Sequence, residues 1–444
     1  MRKKAVRAAA LCMAGMMALS ASGCSKSEEG KSSSKKENVS ADELTFSHYY
    51  LEEERESSAI VSSYLHMVDE WEAEHPDIKL TKQVMAQSDY STKIQAQAAV
   101  NEVPDIFLLK GSWVDNFVDN GIVAPMNEYL DQYEYKDKFR DGVFDAATRD
   151  GKIYGMPNQL TVSSLVYYNE DLWKSVGYDE FPDNWKDIEE AAKKFEEKGI
   201  SAISIGNSEK WPAESCILSA LGDRYTGTDW TNSVIDNDGK AKFTDESFVK
   251  ALDQLQKLTE NNVVNPDFNT ITDMQGTEYY TQGKSAANIS GYWALSTIES
   301  FATPEVLEHT KVAVLPSSDG SPASSTSGGC GWFLAVNKNL TGEKLDRAMD
   351  FVLSTSGYEL CEYAAKTYGL MGAASVGEVD TSALPDLTQK YLELVNGLEL
   401  TPVYDLVMDG AVIEVMNTGI QDLLNGSKNP EDLAAEIQAE QDKL

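Results

Sequence analysis

From Glu43 onward the chain alternates short apolar runs with amphipathic helical stretches, and this alternation constrains its fold more than any other feature. The run Leu44–Ser47 reads as a strand. Ser57 to Glu74 puts Ile60, Val61, Tyr64, Leu65, Val68 and Trp71 on one helical face. His75-Pro76 ends that helix, because a residue before proline is pushed out of the α region. Ile78–Val84 and Asp105–Leu109 read as the second and third strands, with a short helix at Thr92–Val100 between them. A βαβαβ start has the grammar of a doubly wound sheet, whose ligands bind beyond the carboxyl ends of the strands.

A second series begins near Asp150. Lys152–Tyr154, Leu165–Tyr168, Ala202–Ile205 and Ala286–Ile289 read as strands, the last leading into Gly291-Tyr292-Trp293. Asp183–Lys198 reads as a helix with Trp185, Ile188, Ala191, Ala192 and Phe195 on its buried face, and Ser247–Asn261 and Thr277–Gln282 as further helices. Val312–Leu315 and Trp332–Val336 are apolar strands, and the chain beyond Gly342 is mostly helical. At 444 residues the chain exceeds what one hydrophobic core holds, so an α/β fold in two lobes is expected.

The N-terminus carries its own signal. Arg2, Lys3, Lys4 and Arg7 precede the apolar stretch Ala8–Leu19, followed by the small residues Ser20–Gly23 and then Cys24. This is the order of a secretory signal peptide, expected over residues 1–23. Its apolar part is shorter than the ~20 residues that span a bilayer. A Cys after small residues resembles a bacterial lipobox, with Ala21 where Leu is usual; ordinary cleavage with an incidental Cys24 is the alternative. Residues 24–43 read as a lipidated flexible tether, since Ser25 to Ala41 is rich in Ser, Lys and Glu and has almost nothing to bury. The expected location is the extracytoplasmic face of the cell membrane, held by lipid on Cys24. A net charge of −34, from 38 basic and 72 acidic side chains, argues against nucleic acid as a partner. Cys216, Cys330 and Cys361 are far apart and read as buried free thiols, one disulfide being the alternative.

Several segments then fall into a familiar order. Trp71-Glu72-Ala73-Glu74-His75-Pro76-Asp77-Ile78 is followed by Pro104-Asp105-Ile106-Phe107 and by Asn120-Gly121-Ile122-Val123-Ala124-Pro125-Met126. Next come Asp150-Gly151-Lys152-Ile153-Tyr154-Gly155-Met156-Pro157 and Tyr167-Tyr168-Asn169-Glu170-Asp171-Leu172-Trp173, then Gly283-Lys284-Ser285-Ala286-Ala287 before Gly291-Tyr292-Trp293. From about residue 44 to the C-terminus the chain resembles the family 1 extracellular solute-binding proteins of bacterial carbohydrate ABC importers, related to maltose-binding protein. Two departures are Asn184 in place of the Thr before Trp185, and Ala287 in place of Met. Either Asn or Thr can cap the helix that Trp185 opens.

The resemblance implies a two-lobe, periplasmic-binding-protein-like (type II) fold with a hinged cleft. Crossings are expected near Tyr154–Asn158, His309–Leu315 and Met371–Asp380. Lobe one would be 44–155 and 312–375, and lobe two 158–308 and 380–444. A small ligand, a mono- or oligosaccharide, would be captured in the cleft and delivered to the transmembrane permease subunits of an ABC transporter. A non-sugar small solute is the alternative within this class, and a carbohydrate-active enzyme the alternative outside it.

A sugar pocket needs flat rings for the C–H faces and polar groups for the hydroxyl rim. Trp293, with Tyr292, follows a buried strand and a Gly turn, and matches a family Trp that stacks on sugar. Ser112 and Trp113 follow the third strand. Trp211, Asn207 and Glu209 follow Ala202–Ile205, Tyr49 and Glu52 the first strand, and Gln159 the first crossing. Gly329, within Gly328-Gly329-Cys330-Gly331-Trp332, permits close backbone approach. Asp405 precedes the Val412–Leu424 helix. Each has a bland counterpart, such as a core ring, a solvated charge or an ordinary turn. No G-x-S-x-G, H-E-x-x-H or Walker loop is present, and His48, His66, His75 and His309 are scattered, so neither an enzyme nor a metal or other cofactor is expected.

Overall fold

The computed structural model describes residues 41–444; the expected signal peptide, Cys24 and nearly all of the expected tether lie outside them. Eleven strands occur among the described residues: β1 (Glu43–His48), β2 (Lys79–Val84), β3 (Ile106–Lys110), β4 (Thr148–Arg149), β5 (Lys152–Ile153), β6 (Met156–Val162), β7 (Leu165–Asn169), β8 (Ala287–Ser290), β9 (Thr310–Val314), β10 (Ser325–Val336) and β11 (Glu399–Thr401).

The first sheet has the order β11-β10-β3-β1-β2, with β6 paired to β10. β1 runs parallel to both β2 and β3, as the βαβαβ start requires, whereas β10 runs antiparallel to β3 and β6. The helices Ala59–Glu74 and Glu343–Ser356 supply Val61, Tyr64, Val68, Trp71, Phe351 and Val352 to one core with Phe46 and Phe107. Trp71 is buried there, and its indole N–H donates to Asp350 Oδ2 at 2.9 Å, so the burial leaves no orphan donor.

The second sheet, β8-β7-β9, is antiparallel throughout. All of β7 is buried, which explains why it reads as an unbroken apolar run. Around it Trp185, Ile188, Phe195, Leu252, Leu255, Met416 and Ile420 form the second core. The helix expected over Asp183–Lys198 spans Trp185–Glu197, and Asn184 caps it: its Oδ1 accepts from the Asp187 N–H at 2.9 Å. The two large cores and the sheets at their centres give the two-lobe α/β architecture.

Elsewhere the structure departs from the sequence reading. Ala202–Ile205 forms isolated bridges, not a strand: Val264 meets it only at Ile203 and Asn288 only at Ser204, and Ser285 bridges the preceding Ser201. The helix expected at Thr92–Val100 begins at Gln87, and the one expected at Thr277–Gln282 spans Asp273–Thr281 behind a Thr272–Gln275 capping box. Residues 156–158, expected in a crossing, open strand β6. β10 starts seven residues before Trp332, since the Ser- and Gly-rich stretch is held by β11 and β6 and not by an apolar pattern.

Three segments run side by side between the sheets. The Ser163 N–H donates to the Ser327 carbonyl at 2.9 Å, Thr326 Oγ1 donates to the Ser164 carbonyl at 2.9 Å, and β11 pairs with Ser325–Ser327. The Arg224 guanidinium donates to the carbonyls of Leu315, Pro316 and Ser325, tying together both ends of the connection that leads into β10.

Candidate ligand-binding site

A row of aromatic rings links the two sheets. Trp113, in the turn that follows β3, meets Trp332 edge-on at 5.5 Å between centroids, and Trp332 meets Tyr49 at 5.0 Å. Trp332 sits where the pairing of β10 with β6 shifts register, and such a bulge re-aims the side chains beside it. Beyond Tyr49 the row is bridged by an amide: Gln159 Nε2 donates to Tyr49 Oη at 3.4 Å, and Tyr292 Oη donates to Gln159 Oε1 at 3.3 Å. Tyr292 then meets Trp293 at 6.0 Å, and Trp293 meets Trp211 at 5.6 Å. Tyr49, Trp113, Trp211 and Trp293 are half-buried, whereas Tyr292 and Trp332 are buried.

Trp293 is held on several sides. Its ring lies over Gly291, where an added Cβ would fall 2.1 Å from the indole. Its N–H donates to Asp273 Oδ2 at 2.7 Å, and Ser290 Oγ donates to both Asp273 oxygens at 3.0 Å. The indole N–H is therefore spent inside the protein, and the ring offers a ligand its apolar surface. Burial pushes the Asp273 carboxyl up to about 7, against the lowering effect of its Trp293 and Ser290 hydrogen bonds. The backbone N–H of Asp273 donates to Oε2 of exposed Glu209 at 3.2 Å, placing that carboxylate beside the ring.

A second polar cluster lies at the end of β3. Lys110 Nζ pairs with Asp405 Oδ2 at 2.7 Å and lies 5.9 Å from the Trp332 ring centroid. Beside Asp405, the fully buried Glu214 accepts from Ser219 Oγ at 2.6 Å through one oxygen; its other oxygen and Asp405 Oδ1 have no hydrogen-bond partner. Burial, and then the charge of Asp405, raise the Glu214 carboxyl well above the usual range. The helix Tyr404–Val407 that carries Asp405 packs directly on the chain at Gly111, where a Cβ would lie 2.3 Å from the Leu406 carbonyl oxygen.

The sequence matches the family described as bacterial extracellular solute-binding protein over residues 57–353. The chain belongs to this family. Among solved structures, it is similar to one from work on xylan utilization by Caldanaerobius polysaccharolyticus, at 24% identity and TM-score 0.78, covering 89% of this chain and 99% of that one. It is also similar to a chitin oligosaccharide binding protein, at 22% identity and TM-score 0.79, covering 90% of this chain and 98% of that one. These likenesses show the fold. By sequence it is similar to a putative binding protein of Brucella abortus, at 23% identity over 56% of this chain and 59% of that protein. It is also similar to an arabinooligosaccharide-binding protein of Bacillus subtilis, at 25% identity over 60% of each. The chain thus spans about three-fifths of the length of these relatives.

Of the residues singled out from the sequence of this solute-binding protein, Tyr49, Trp113, Gln159, Trp211, Tyr292 and Trp293 fall in the ring row, and Glu209 flanks it. Ser112 is half-buried in the turn before Trp113, and its carbonyl faces Gly410 at the start of the helix Gly410–Leu424. Glu52 lies apart from the rings, exposed and paired with Arg55 at 3.0 Å. Asn207 is fully buried and spends its amide on Asn269 and the Ala213 N–H. Gly329, at φ 150°, has open space where a side chain would point. Asp405 is the partner of Lys110.

Two residues of the site escaped sequence reasoning. Trp332 was hidden in a Gly-rich segment, and Asp273 was one acidic residue among many. A signal for Asp273 exists: Thr272-x-x-Gln275 is a capping box, which fixes Asp273 as the first helical residue near the Gly291 turn. An open groove of about 560 Å³ lies elsewhere, among His75, Tyr129, Tyr133, Arg347 and Asp350.

Proposed function

We propose that this solute-binding protein captures an oligosaccharide along the ring row and delivers it to an ABC transporter permease. The row itself carries the reading. Rings from both sheets, joined through Gln159, offer repeated apolar faces to sugar C–H surfaces, while Glu209 and Gln159 offer polar atoms to hydroxyls. Oligosaccharide binding by similar proteins, as named for the chitin and arabinooligosaccharide relatives, supports it. The reading is of a binding protein, which the engagement of Asp273 with Trp293 and Ser290, and of Asp405 with Lys110, supports.

The lobes would move about the three adjacent segments at 162–165, 325–327 and 399–401, later in the chain than the crossings expected at 154–158, 309–315 and 371–380. The protein would be exported by residues 1–23 and anchored through lipid on Cys24. A thermal-shift panel of pentose, hexose and N-acetylhexosamine oligomers tests the function. A bound sugar at a hundred times its Kd stabilises the native state by about 2.7 kcal/mol. No shift with any oligomer of two to five units overturns the reading.

A further inference from the structure

We infer that Asp273 is the positioning residue of this site: it holds the Trp293 indole over Gly291 and holds Glu209 beside it, fixing ring and carboxylate relative to each other. The inference rests on Trp293 being a ligand-contacting ring. A tryptophan in a turn can rotate about two side-chain bonds, and each lost rotamer must be ordered when a ligand binds. Here that ordering is already done. The indole N–H reaches Asp273 Oδ2 at 2.7 Å, and Asp273 is only 6% exposed, so water competes weakly for the bond. Rotation of the ring breaks this bond on one side and meets Gly291 or the edge of Trp211 on the other.

Asp273 is itself fixed. Ser290 Oγ, at the end of β8, donates to both of its oxygens, and as the first residue of the helix Asp273–Thr281 its backbone cannot shift without breaking the Thr272 cap. Its backbone N–H reaches Glu209 Oε2, so one residue organises both an apolar face and a polar rim group. Among the described residues Glu209 is also the charged group that acts on the Asp273 carboxylate, and it does so from the loop between Ile205 and Trp211.

The test compares wild type with Asp273→Ala, Asp273→Asn, Gly291→Ala and Trp293→Ala, using maltotriose, xylotriose and N,N′,N″-triacetylchitotriose. Each Kd is measured by calorimetry. Emission of Trp293 is isolated by subtracting the spectrum of a Trp293→Phe protein made in the same background. Asp273→Ala is expected to weaken binding about tenfold, the scale of one buried hydrogen bond, and to shift Trp293 emission. Asp273→Asn keeps an acceptor for the indole and should restore affinity to within about threefold, with wild-type emission. Gly291→Ala displaces the ring from its other side and should lose affinity as Asp273→Ala does, which keeps the test alive if Asp273→Ala fails to fold.

Wild-type affinity and emission in Asp273→Ala, with Trp293→Ala impaired, overturns the positioning role alone. Wild-type affinity in Trp293→Ala overturns the ligand-site reading and this inference with it. The emission arm needs no sugar: unchanged Trp293 emission in Asp273→Ala overturns the inference even if none of the three sugars binds.

Discussion

On the β3 side of Gln159, Trp332 is buried, and Trp113 and Tyr49 meet it edge-on, so each ring is placed by other rings. On the far side, Trp293 meets Tyr292 and Trp211 edge-on but is also held by a buried carboxylate and a glycine. The first arrangement grows out of a hydrophobic core; the second stands on a polar clamp. The comparison teaches that a ring can be made rigid in two ways, with different costs when it is removed. A core-set ring supports the fold and the site together, whereas a clamped ring can be lost with the fold largely intact.

The largest effect that would sharpen this contrast is expected at the foot of the core-set half. Lys110→Met leaves Asp405 charged, buried and unpaired next to Glu214, and breaking such a pair typically costs about 3–5 kcal/mol. Denaturant unfolding measures it; a loss under about 1 kcal/mol would show that the pair is better solvated than its burial indicates. Next comes Trp332→Ala, which should destabilise the sugar-free protein by about 3–5 kcal/mol, as for other core aromatics. If Trp332→Ala instead left stability unchanged while abolishing binding, the two halves would share one design and the contrast would break.

The clamped half should respond to pH. Asp273 ionises near the ordinary aspartate value of 3.8 when unfolded and near 7 when folded. Between about pH 4 and pH 7 the native state therefore holds a proton that the unfolded chain has released. The contribution of Asp273 is favourable at low pH and is lost as pH rises through about 7. Wild type should thus lose stability relative to Asp273→Asn across that window, followed by melting temperature in matched buffers; parallel pH profiles would contradict the raised value. The smallest effect is expected at Glu209, which is exposed. Glu209→Gln should weaken sugar binding by only about threefold to tenfold, the scale of one solvent-accessible hydrogen bond, and leave stability unchanged.

What was legible from sequence follows the same physical divide. The parallel β1–β2–β3 start and the helix opened by Trp185 were readable because apolar periodicity and caps are local signals. Candidate rings at strand ends were readable for the same reason. The long β10 was not, because its N-terminal half is Ser- and Gly-rich and is made a strand by β6 and β11 on either side. Asp273 was not readable, and Asp405 was readable only as a candidate without its partners Lys110 and Glu214: the Lys110–Asp405 pair spans 295 residues and depends on tertiary contact, and 72 acidic residues offer no way to choose among them. The spent N–H of Trp293 was likewise invisible, because its acceptor Asp273 reaches it only in the folded chain.

The most direct test of the account is Trp293→Ala, with sugar affinity by calorimetry and the sugar-free melting curve measured on the same preparation. The account predicts at least a ~30-fold loss of affinity, the effect of removing a ring worth ~2 kcal/mol, with a stability loss well below the ~3–5 kcal/mol of a core aromatic. Near-normal affinity with a collapsed melting temperature would contradict it, and would make Trp293 a packing residue instead of part of the site.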